Sequence, residues 1–178
     1  MAMQTDVLSS HLNTSGFSYI GRTRLRAMTA VGTATAGTIN IWDTTTAPVT
    51  GGTYTRSGTT VTVTSTSHGL TSGQQVGITF AAGTGGTATN GNYTITVTGA
   101  NTFTLTDINT GTITGSGGAT YVAAQTYGNS PWVVSFDTAA VTAGANVLEL
   151  LFPGEGMLCH VGIYCQLSNM TGVTLFYG

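Results

Sequence analysis

Apolar residues recur at every second position through the middle of the chain. Val61 and Val63, then Val76, Ile78 and Phe80, then Tyr93, Ile95 and Val97, then Phe103 and Leu105, and finally Ile113, are separated mostly by threonines. Successive side chains of a strand point to opposite faces, so this spacing predicts short half-buried strands with one apolar and one polar face. Turn signals part them at Ser57-Gly58, His68-Gly69, Gly83–Gly86, Asn90-Gly91, Gly99–Asn101 and Asn109–Gly111. About five or six such strands make a small barrel or sandwich.

The flanks carry longer strand candidates: Phe17–Met28, Thr38–Trp42, Trp132–Phe136, Asn146–Phe152, Met157–Gln166 and Val173–Tyr177. Pro153-Gly-Glu-Gly156 reads as a turn between two apolar strands, which predicts a hairpin of 146–152 with 157–166. The expected architecture is all-β. A discontinuous, jelly-roll-like β-sandwich, residues 1–56 plus 121–178, hosts an inserted small β-barrel or sandwich module, 57–120. Insertions are tolerated where the chain leaves and returns on neighbouring strands. One continuous sandwich is the alternative.

Composition sharpens this picture. Threonine (38) and glycine (26) fill more than a third of the 178 positions. Threonine is β-branched and suits a pleated surface, which supports strands over helices. Charged residues are only 6% of the chain, against roughly a quarter in an ordinary soluble domain. The 64 residues from Ser57 to Thr120 hold one charge, Asp107. Lysine is absent, and Arg22, Arg24, Arg26 and Arg56 are the fixed cations. This excludes a Schiff-base amine and a Walker-type phosphate loop. A net charge of −2 argues against nucleic-acid binding, which needs many cations. No apolar run approaches the ~18 residues of a membrane span, and the first residues lack the basic-then-apolar pattern of a secretory signal. They show no clear periodicity either, which leaves open an ordered docking arm or a segment without order until bound.

Catalytic sets do not assemble. Cys159 and His160 are adjacent, so in a strand they point to opposite faces and make neither a nucleophile–base dyad nor, with Cys165, a metal site. The two cysteines read as buried free thiols. Of the carboxylates Asp43, Asp137, Glu149 and Glu155, nothing in the sequence brings two together for glycoside hydrolysis. No Gly-x-Ser-x-Gly elbow or dinucleotide-binding glycine pattern occurs. The expectation is therefore no enzyme, no catalytic residue, no metal and no cofactor. His68 reads as a turn cap through a ring nitrogen. Arg22, Arg24 and Arg26 alternate with Thr23, Leu25 and Ala27, so one strand would stack three guanidinium groups on one face, about 6.6 Å apart. They are either a solvated face or a docking ladder for carboxylates of a neighbouring subunit.

The run Ser67-His68-Gly69-Leu70 to Val76, then Asn90-Gly91-Asn92-Tyr93 to Val97, then Asn101-Thr102-Phe103-Thr104-Leu105-Thr106, resembles a small β module of tailed-bacteriophage virion proteins. It departs in having Gln75 where an aspartate is commoner. The flanks, from Gly21-Arg-Thr-Arg24 to the final Phe-Tyr-Gly, resemble short phage structural proteins. The resemblance implies a virion structural protein. That is either a capsid decoration or cement protein packed as a symmetric homo-oligomer on the major capsid protein, or a tail-associated ring or adhesin. Its partners would be other phage structural proteins, with no nucleic acid and no membrane. A secreted carbohydrate-binding module, with Trp42 and Trp132 stacking on sugars, is the reading outside that class.

Overall fold

The computed structural model describes residues 7–125, 129–139 and 147–178. Among them every regular element is a strand. The chain divides into two compact units, Met1–Thr45 with Val133–Gly178, and Thr46–Trp132.

The first unit is built from β1 (Leu8–Leu12), β2 (Gly16–Ile20), β3 (Thr23–Gly32), β4 (Gly37–Asp43), β12 (Trp132–Thr138), β13 (Val147–Leu151), β14 (Met157–Cys159), β15 (Gly162–Ser168) and β16 (Met170–Tyr177). One sheet runs β1-β16-β3-β13, with β14 also on β3, and the other runs β2-β15-β4-β12. First strand thus pairs with last, second with second-last, and so inward. That nested order over a five-stranded and a four-stranded sheet, with β13 and β14 sharing one side of β3, is the jelly-roll arrangement. Alternation supplies its core: Leu25, Met28 and Ala30 of β3, Ile39 and Ile41 of β4, Ile163 and Cys165 of β15, and Val173 and Leu175 of β16 are buried together.

Two expectations for the flanks need correction, and the question of the N-terminal arm is answered from Leu8 onward. Phe17–Met28 is two strands, because Gly21 takes a φ of 130°, which an L side chain rarely adopts, and breaks the run. The arm before β2 is ordered from Leu8, where β1 pairs with β16 from Leu8↔Tyr177 to Leu12↔Val173; residues 1–6 lie outside the described chain. The expected 146–152/157–166 hairpin does not form. Instead β13 and β14 lie end to end along β3, Val147–Leu151 against Val31–Ala27 and Met157–Cys159 against Leu25–Thr23. Pro153–Gly156 is an excursion of that line and not a reversal, with the Phe152 amide donating to the Arg26 carbonyl at 2.9 Å. Gly156, at a φ of 78°, lets the chain return: a Cβ there would stand 2.4 Å from the Leu25 carbonyl oxygen.

Met157–Gln166 is likewise split, and Asp43 explains where. Its carboxylate accepts the amides of His160 (2.7 Å), Val161 (2.8 Å) and Gly162 (3.1 Å). Those three residues cross from one sheet to the other, where ladder bonds are lost. Cys159 and Cys165 therefore sit in different strands, both buried as free thiols. Burial first, and the Asp43 charge second, push the Cys159 thiol up to about 12; burial alone does the same for Cys165.

The central unit contains β5 (Val49–Ser57), β6 (Thr60–Thr64), β7 (Gln75–Phe80), β8 (Gly91–Thr94), β9 (Thr96–Gly99), β10 (Thr102–Thr106) and β11 (Ile113–Ala123). The boundaries expected at 57 and 120 fall inside it. Strand β11 pairs with β5 from Ile113↔Arg56 to Tyr121↔Val49, so residues assigned on sequence to the host complete the central sheet. The sheet order is β8-β7-β11-β5-β6-β10-β9. Its two ends are successive strands parted by Ile95 alone, so the sheet curls until its edges meet. At that corner the Ile95 amide donates to Gln74 O (3.1 Å) and its carbonyl accepts from Gly73 N (2.9 Å). The apolar set read from the alternation lines the interior, with Tyr93 and Val97 at its margin. Threonines take the outer face: Thr62 stands between Thr55 and Thr104, and Thr64 between Thr53 and Thr102.

Candidate interaction surface

Strand β3 starts at Thr23, so it carries Arg24 and Arg26 while Arg22 lies exposed in the turn before it. The strand therefore stacks two guanidinium groups, not three. Arg24 meets Glu155 of the Pro153–Gly156 excursion, Nη2 to Oε2 at 3.0 Å, with the Glu155 side chain 80% exposed. An exposed pair of this kind contributes at most about 1 kcal/mol, so Arg24 can exchange Glu155 for another carboxylate at little cost. Arg26 sits at a break in the β3–β16 register, between the Leu25↔Tyr177 and Ala27↔Phe176 pairs. Its Nε is buried with no hydrogen-bond partner.

The edges of the sandwich form the second part of the surface. Strands β1 and β13 end one sheet, and β2 and β12 end the other. Eight large apolar side chains stand exposed among the described residues, and five of them, Leu8, Phe17, Ile20, Val147 and Leu151, belong to these edge strands. Soluble monomers guard edges with lysine, proline or strand closure. The central unit uses closure. The sandwich ends in open strands without lysine, with Glu149 as the charge on β13 and Asp137 as the charge on β12. Leu148 and Leu150 turn to the core while Val147 and Leu151 face out, 58% and 82% exposed.

The remaining polar candidates serve structure. His68 caps its turn: Nδ1 accepts the Leu70 amide (3.0 Å), which leaves Nε2–H to donate to Gly99 O (3.1 Å). Asp137 takes a hydrogen bond from Thr38. His160 is exposed and Cys159 buried, but His160 lies at the crossing after β14 and not in the strand that the alternation assumed. Among the described residues no three His, Cys, Asp or Glu gather closely enough to hold a metal ion. Sequence reasoning missed two charged anchors. One is Asp43 at the sheet crossing. The other is the Arg56–Asp107 pair, Nη1 to Oδ2 at 2.6 Å, with side chains 8% and 0% exposed. A lone charge inside a long neutral stretch was the available signal, since a buried charge needs a partner and Arg56 is the one arginine outside the 22–26 group.

No protein-family model, curated protein or solved structure matches this chain.

Proposed function

We propose that the protein is a structural component of a bacteriophage virion, decorating the capsid as a symmetric oligomer. The observation that carries this reading is the edge of the sandwich: exposed apolar side chains on the strands that end its sheets, in a chain without lysine. Such edges invite pairing with other chains. Neutral hydroxyl surface is also cheaper to desolvate than charged surface, and the outer face of the central sheet is coated with threonine. Jelly rolls recur in viral capsid proteins, although fold alone does not fix function, so the weight rests on the surface. Arg22, Arg24 and Arg26 are the residues that would dock on carboxylates of the major capsid protein. Quantitative mass spectrometry of intact particles tests the reading. Hundreds of copies per particle are expected; a few to dozens would move the protein to the tail, and none would remove it from the virion.

A further inference from the structure

We infer that the oligomer is held by strand β1 of one copy adding to strand β13 of the next, joining their sheets into one continuous antiparallel sheet. This names the contact within the assembly proposed above and rests on that reading.

Strand direction is the first argument. β1 is antiparallel to β16, β16 to β3, and β3 to β13, so β1 and β13 run oppositely within one chain. A second copy placed alongside in the same orientation therefore brings its β1 antiparallel to β13. Facing is the second. Residues directly opposite each other share a face of the sheet. On β13 the core face is Leu148 and Leu150, and on β1 it is the Leu12 face, which includes Leu8. Matching core face to core face allows the register that sets Leu8 against Leu150, Val7 against Leu151 and Ser9 against Glu149. Val7, Leu8 and Leu151 are 47%, 53% and 82% exposed in the single chain, and this one contact covers all three.

Charge decides against the alternatives. A centred pairing of β13 with itself opposes Glu149 to Glu149, and like charges directly opposite are unfavourable. A pairing of β1 with itself leaves Leu151 bare. The heterologous contact instead gives the Glu149 carboxylate the Ser9 hydroxyl as a donor, with His11 on the diagonal. Head-to-tail contacts of this kind generate closed rings when the rotation closes.

The test uses the full chain with Val7→Cys and Leu151→Cys. Both positions are exposed, so neither change disturbs the core, and the native thiols are buried and held near 12. Under mild oxidant the double variant is expected to lose its monomer band on a denaturing gel and form linked species beyond the dimer, while each single variant stays monomeric. Dimers from Leu151→Cys alone, or a folded double variant that remains unlinked, would overturn the inference. Linked rings of a chain that is absent from particles would uphold the contact and sink the virion reading separately.

Discussion

Asp107 is the only charge between Ser57 and Thr120, and it is buried. Burial pushes its carboxyl up, but hydrogen bonds from Thr89, Asn109 and Arg56 outweigh that and hold it below the usual carboxylate range. A depressed carboxyl binds its proton more weakly in the folded chain. Its contribution is therefore complete above the unfolded value of about 3.9 and is lost as pH falls through the lower folded value. Asp107→Asn leaves the Arg56 charge buried without its partner and should cost ~3–5 kcal/mol in urea unfolding at pH 7. The same variant should show a flatter loss of stability between pH 5 and pH 2, a range of about three units that brackets this titration. A wild-type acid slope in the variant would mean that another carboxyl carries it.

At the scale of elements, period-two alternation was legible wherever a strand keeps one partner sheet. Val61/Val63, Val76/Ile78/Phe80 and Phe103/Leu105 came out of the sequence with the correct faces, and all are buried. Phe103, fully buried against Tyr121 at a ring separation of 5.5 Å, should cost ~3–5 kcal/mol when truncated to alanine. What escaped the sequence was every point where a strand changes partners. Tyr93–Val97 alternates perfectly yet divides at Ile95, and Met157–Gln166 divides at His160, because the residues that hold those corners, Gln74 and Asp43, are distant in the chain. Strand β1 was hidden because Ser9-Ser10-His11 interrupts its apolar positions and its order comes from β16. Asp43→Ala strips three amides of their acceptor and should destabilise the sandwich by about 3 kcal/mol, given ~1–3 kcal/mol for an unsatisfied buried group. The cost is read from thermal or urea unfolding, and a cost under about 1 kcal/mol would show that the crossing is held by other contacts.

On the scale of the whole molecule, the two units manage their edges in opposite ways. The central sheet curls until its ends meet, while the host sandwich ends in open strands that expose apolar side chains, with Glu149 and Asp137 as their charges. A free protein gains nothing from that second arrangement, whereas an assembled one uses it. The arginines belong to the same argument. Arg24→Glu should leave unfolding within about 1 kcal/mol of wild type, since the exposed Arg24–Glu155 pair contributes little. It should nevertheless reduce incorporation into particles and make the bound fraction salt-sensitive. Unchanged occupancy and salt tolerance would show that this strand face is merely solvated.

The most direct measurement is a reconstruction of the intact virion at a resolution that traces this chain. The account predicts jelly-roll density repeated over the capsid lattice, with neighbouring copies joined through strand edges and the arginine face turned to acidic groups below. Density confined to the tail, or particles complete without the chain, would contradict it.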